Sequence, residues 1–131
     1  MVVIDASVLV NALVSDGTAG ARANELLAEK DTWAAPEHMP MEVFSAVRGL
    51  CLGGGITEGR AHAALTELSE GLEIDLVGVR RLSSMMWELR GHVSGYDAAY
   101  AAAARLLDCP LVTADIRLAK AVEKHCQVMT V

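Results

Sequence analysis

Short apolar runs and longer amphipathic stretches alternate along the whole chain. Val2–Ile4 is a β-branched run that reads as a buried strand. Over residues 5–14 the spacing of Val8, Leu9, Ala12 and Leu13 predicts one apolar helix face, broken at Asp16-Gly17. Residues 18–29 predict a second helix with Ala23, Leu26 and Leu27 inward, and residues 32–35 a short strand ended by Pro36. Pro40 suits a first helical turn. The helix continues over 41–52 with Val43, Phe44, Val47 and Leu50 apolar, and Gly53-Gly54-Gly55 ends it. Thr57 and Glu58 cap a further helix to about residue 69. Alternation of Leu72, Ile74 and Leu76 predicts a strand over 72–77. A helix over 82–89 is expected to bury Met85, Met86 and Leu89. Ser94 opens an alanine-rich helix to residue 107, and Asp108-Cys109-Pro110 forms a turn. Residues 111–113 are a strand, 115–124 a helix and 128–131 a last short strand.

Strands that alternate with helices in this way predict an α/β fold. Its centre is a parallel sheet of about five short strands with helices on both faces, a three-layer α/β/α arrangement. The 131 residues fit one domain, 1–131, and 53% hydrophobic residues are enough for a real core.

Charge and composition then narrow the chemistry. Seventeen acids against eleven bases give a net charge of −6, which argues against broad affinity for nucleic acid. It leaves room for an RNA held by metal ions and a few arginines. Aromatics are confined to Trp33, Trp87, Tyr96, Tyr100 and Phe44, too few for a stacking platform along a single strand. Cys51, Cys109 and Cys126 are odd in number and lack C-x-x-C spacing, so a reducing cytoplasm is expected rather than a disulfide or zinc framework. No basic n-region of a signal peptide is present. No apolar stretch reaches the ~20 residues of a membrane span.

Four acids stand at strand-to-helix junctions or near helix starts: Asp5, Glu42, Asp97 and Asp115. Taken singly, each has an ordinary structural role. Asp5 and Asp115 can cap helices, Asp97 can join Ser94 in a capping box, and Glu42 can favour a helix dipole. Together they read differently, because strand C-terminal ends and helix N-termini meet at one rim of an open α/β sheet. Carboxylates crowded there repel unless a hard divalent cation lies among them, and at least one should hold its proton more tightly than usual. Ser7 and Thr113 place hydroxyls beside Asp5 and Asp115, and Asn11 follows Ser7 by one turn; all three can support the cluster. Arg48 and Arg117 read as solvated arginines, and none of the four histidines, His38 included, has a catalytic signature. The triple glycine lacks the Gly-Lys-Ser/Thr ending of a P-loop.

These segments resemble one family. Val2 to Val10 (VVIDASVLV), Pro40 to Arg48 (PMEVFSAVR), Tyr96 to Tyr100 (YDAAY) and Pro110 to Ala119 (PLVTADIRLA) are similar, in order and spacing, to the acidic motifs of PIN-domain ribonucleases. More narrowly they resemble the VapC toxins of VapBC toxin–antitoxin pairs. Ser45 departs from the pattern, since many relatives carry Asn there. The resemblance implies a PIN fold and Mg²⁺-dependent endonuclease activity on RNA, with Mn²⁺ as an alternative ion. Asp5, Asp97 and Asp115 would be metal ligands, and Glu42 a ligand through water or a base. It also implies a VapB-like antitoxin partner, homodimerisation and no membrane association. Two other readings compete: a non-catalytic interaction module on the same fold, and a receiver-like phosphoacceptor domain. The receiver lacks support, because Asp5 is followed by Ala6 rather than a second acid.

Overall fold

A computed structural model describes Met1–Val131. Five strands form one parallel sheet: β1 (Val2–Ile4), β2 (Trp33–Pro36), β3 (Ile74–Val77), β4 (Leu111–Thr113) and β5 (Val128–Thr130), in the order β3-β2-β1-β4-β5. The helices are α1 (Ala6–Val14), α2 (Thr18–Ala28), α3 (Met39–Leu52), α4 (Glu58–Thr66), α5 (Val79–Glu88), α6 (Gly95–Leu107) and α7 (Ile116–Val122). The architecture is the three-layer α/β/α expected from the alternation. No helix is long and apolar enough to cross a membrane.

The central strands are apolar because both faces of a parallel sheet are covered. All residues of β1 and β4 are buried, with Val3, Ile4, Leu111 and Val112 wholly inaccessible. Helix α6 lies against β1, β2 and β4. Its run from Ala98 to Ala104 is completely buried, and alanine's small side chain lets the helix come close to the sheet. Tyr100 is the one large residue in that run. Gly20 serves the same purpose on α2, since a Cβ there would lie 2.2 Å from the Ser15 carbonyl oxygen at the end of α1.

Strand order places the chain's turning point. From β1 the chain steps outward to β2 and β3, then crosses back to lay β4 on the other side of β1. The C-terminal ends of β1 and β4 therefore flank a topological switch point, the crevice where open α/β sheets bind ligands.

Several elements differ from expectation at their ends. The helix expected to reach residue 69 is α-helical to Thr66 and closes in a π-helical turn, Glu67–Gly71. Strand β3 begins at Ile74, and Leu76 is half exposed because β3 pairs with β2 alone and forms a sheet edge. Helix α5 starts three residues before the expected Leu82 because the Glu37 carboxylate accepts from the Val79 amide at 2.9 Å. Met85 and Met86 are only half buried, whereas Leu82 and Leu89 carry that helix's core contact. Phe44 and Leu50, expected on the apolar face of α3, are exposed, and Met39, Val43 and Val47 take the core side.

The Glu37 cap predicts a small, measurable cost. Glu37→Ala should lower unfolding free energy by about 1 kcal/mol, read as a reduced urea midpoint at unchanged m-value.

Candidate active site

Asp5 follows the last residue of β1 and is 6% exposed. It occupies the N-cap position of α1, but its side chain caps nothing. Instead Oδ2 accepts two hydrogen bonds, from Ser7 Oγ and from Thr113 Oγ1, both at 2.7 Å. Each hydroxyl also accepts a backbone N–H: Ser7 Oγ from Ala114 at 3.1 Å and Thr113 Oγ1 from Asp115 at 3.0 Å. The turns after β1 and β4 are thereby stitched together through one carboxylate oxygen. Oδ1 of Asp5 has no hydrogen bond within the protein.

Asp115 does cap α7. Its Oδ1 accepts from the amides of Arg117 and Leu118, at 2.9 and 3.2 Å. Asp97 lies in the first turn of α6, where its amide, not its carboxylate, is engaged by Ser94 Oγ at 3.2 Å. Glu42 projects from the first turn of α3, and its Oε1 accepts from the buried Tyr100 hydroxyl at 2.7 Å. His38 Nε2 is 2.9 Å from the same oxygen, a close contact off the line of a hydrogen bond, which leaves that buried nitrogen unpaired. Three of the four acids are thus held through one oxygen with the other free, and Asp97 has both free.

These four side chains line a single hollow of about 370 Å³ with Ala6, Ser7, Val10, Asn11 and Ala46. Asn11 lines it without a hydrogen bond from its side chain to any acid. The crowding has an electrostatic signature. The Asp97 carboxyl is pushed above the usual carboxylate range, first by burial and then by the charges of Asp5, Glu42 and Asp115, with His38 acting in the opposite direction. Burial and then the hydrogen bond to Glu42 push the Tyr100 hydroxyl far up, so Tyr100 remains a donor.

The donor set fits a hard divalent cation: carboxylate oxygens, five of them with no hydrogen bond in the protein, and no thiolate. No three of these groups converge into a ready-made cage.

Tyr100 and His38 were not singled out by their sequence positions. A signal for Tyr100 was present, since it lies one turn after Asp97 in a run, Ala98 to Ala104, otherwise built of alanine. A buried tyrosine hydroxyl there needs a polar partner. The pairing of His38 with Glu42 is a four-residue spacing across the start of α3, equally visible once α3 is known to begin at Met39.

The family model of the PIN domain matches residues 2–124. The chain belongs to the PIN-domain family. Within that family it is 37% identical over 129 residues to Ribonuclease VapC1 of Mycobacterium tuberculosis, covering 98% of this chain and 96% of the relative. Ribonuclease VapC9 of the same organism is 33% identical over 131 residues, covering 100% of this chain and 98% of the relative. Among solved structures, the fold is shared with VapBC2 from Rickettsia felis bound to a DNA fragment from its promoter. The TM-score is 0.69 at 18% identity, covering all of this chain and 99% of that one. As a PIN domain, the chain has no place for the receiver reading, and its strand order also differs from the 2-1-3-4-5 of receivers.

Two outcomes follow from this geometry. A raised Asp97 value favours the folded state only while that group is protonated. The apo protein should therefore lose stability as pH rises from the acid range through the raised value. Asp97→Asn should melt higher than wild type near neutral pH, and the gap should close as pH falls; thermal melts in EDTA across pH read this. Thr113→Val leaves Asp5 with one hydroxyl donor and should cost about 1–3 kcal/mol in denaturant unfolding.

Proposed function

We propose that this PIN domain is a metal-dependent endoribonuclease and the toxin of a toxin–antitoxin pair. The observation that carries this reading is that Asp5, Glu42, Asp97 and Asp115 line one hollow at the switch point, each with at least one carboxylate oxygen unbonded within the protein. In this reading Asp5, Asp97 and Asp115 hold Mg²⁺ or Mn²⁺, and Glu42 contributes through water or orients the attacking water. A bound ion would offset the charge that develops on a phosphodiester during hydrolysis and help deliver the water nucleophile. The protein's own contribution is orientation. Ser7 and Thr113 hold the Asp5 carboxylate through Oδ2 and leave Oδ1 unbonded within the protein. Tyr100 does the same for Glu42.

The partner reading rests on relatives. The Rickettsia neighbour is a VapBC complex, and a VapB-like antitoxin whose arm covers the acidic rim would silence this site. Leu27 lines a hollow of about 590 Å³ with Leu9, Leu13 and Trp33, and the Trp33 indole N–H has no partner. A segment of antitoxin with an apolar face and one carbonyl acceptor would complete it. Homodimerisation would use other apolar surface, and Trp87, 67% exposed, is the largest such group. The three free cysteines, two of them with thiols pushed up mainly by burial, suit a reducing cytoplasm.

The deciding experiment is RNA cleavage by the purified protein with Mg²⁺ or Mn²⁺. Wild type should cleave, EDTA should abolish the reaction, and Asp97→Asn should lose at least about a hundredfold in rate while keeping its far-UV circular dichroism. Growth arrest on expression should vanish in the same variant. A wild-type protein that cleaves no RNA with either ion would favour the non-catalytic module instead. Arg117 is exposed and lines a hollow with Asp97 and Asp115, which favours a contact with substrate phosphate over the purely solvated role its sequence position suggests. Arg117→Ala should reduce the slope of log affinity against log salt by about 0.7–1.

A further inference from the structure

Two other hollows adjoin the acidic one along the rim. A hollow of about 380 Å³ shares Glu42 with it and is lined by His38, Met41, Ser45 and Tyr96 as well. A second hollow, of about 270 Å³, shares Asp97 and Asp115 with the acidic one and carries Arg117 and His92. The acidic hollow therefore adjoins, through Glu42 and through Asp97 and Asp115, two hollows that differ in chemistry. The Arg117 hollow has a cation for phosphate. The Tyr96 hollow has neither lysine nor arginine, and Glu42 at its edge would repel an anion.

What the Tyr96 hollow offers is a ring and a thioether. Tyr96 is 67% exposed, Met41 is 66% exposed, and neither is used by the core. Tyr96 is not loose at its base, because the His38 ring meets it edge-on with centroids 5.5 Å apart. The Ser45 hydroxyl and the Tyr96 hydroxyl have no hydrogen-bond partner in the protein, so the apolar wall has a polar border. An aliphatic side chain filling this space would strand those hydroxyls beside a carboxylate. A nucleobase suits it better, since its faces are apolar and polarisable and its edge carries donors and acceptors. Continuity favours the same occupant: a phosphodiester over the acids places a flanking base within the next hollow.

We propose that the hollow of Tyr96, Met41, His38 and Ser45 seats one RNA base flanking the scissile phosphate. The base stacks on Tyr96, with its edge toward Ser45. This rests on the ribonuclease reading and adds to it the residues that choose where the strand is cut. It also refines the expectation drawn from the scarcity of aromatics. One ring beside the acids is no platform for a whole strand, but it is enough for a single base.

The test uses the intact protein, Mg²⁺ and a short unstructured RNA of defined sequence whose cut position has been mapped on wild type. Tyr96→Ala should raise KM by about tenfold, the loss expected for one stacked base, with the change falling on KM rather than kcat. Tyr96→Phe should recover most of that loss. Removing the flanking base, by an abasic substitution in the RNA, should weaken wild type by a similar factor. The abasic RNA should then be almost indifferent to Tyr96→Ala, because the two changes delete one contact. Ser45→Ala should shift which base is favoured at that position in a pool of randomised substrates. If Tyr96→Ala cuts intact and abasic RNA with wild-type KM, the base seat is wrong while the ribonuclease stands. If Tyr96→Ala instead turns a wild-type dimer into a monomer by light scattering, with the abasic substitution neutral, the surface belongs to a second copy of the chain. If wild type cuts no RNA at all, the ribonuclease reading itself fails and takes the base seat with it.

Discussion

A carboxylate buried at the end of a buried strand is the constraint on which the site depends. Asp5 has almost no access to water, and an unpaired charge there would unsettle the centre of the sheet. Two hydroxyls, arriving from α1 and from β4, satisfy one of its oxygens. The same two hydroxyls take backbone amides from the turn that leads to Asp115. The switch-point crevice is thus held open in a fixed shape by the group that a ligand would approach. Stabilising the fold and presenting the Asp5 Oδ1 oxygen are one arrangement of hydrogen bonds.

Helix α6 solves a second problem by being nearly featureless. Seven consecutive buried residues, six of them alanine, let it lie close on β1, β2 and β4. Tyr100 interrupts that surface once and spends its hydroxyl on Glu42. Asp97 stands one turn earlier on the same helix, next to an amide already satisfied by Ser94. A helix with little chemistry of its own therefore sets the positions of two acids, one directly and one at a distance.

The alternation of apolar runs made the order of strands and helices legible, because a parallel sheet demands strands apolar on both faces. The acids were legible as a set, because three of them terminate or flank those runs. Their local roles were not. Asp5 and Asp115 occupy equivalent N-cap positions, yet only Asp115 caps, and the difference lies in a threonine 108 residues away from Asp5. The early start of α5 likewise depends on Glu37, which approaches Val79 only once β2 and β3 have paired. Periodicity over residues 57–69 could not distinguish an α-helix from one that widens into a π turn at its end. Met85 and Phe44 fit apolar stripes but sit at their margins, and stripe width depends on neighbours that a single segment does not reveal.

The hydrogen bond from Thr113 to Asp5 also bears on the order of folding. It joins the turn after β1 to β4, 108 residues further along the chain, and Asp115 lies later still. The segment from β1 through the first turn of α6 holds Asp5, Glu42 and Asp97 but cannot close the crevice around them without β4. Contacts of such long sequence separation form late in folding. The crevice is therefore completed only when β4 docks beside β1, after the elements that carry Asp5, Glu42 and Asp97 have formed.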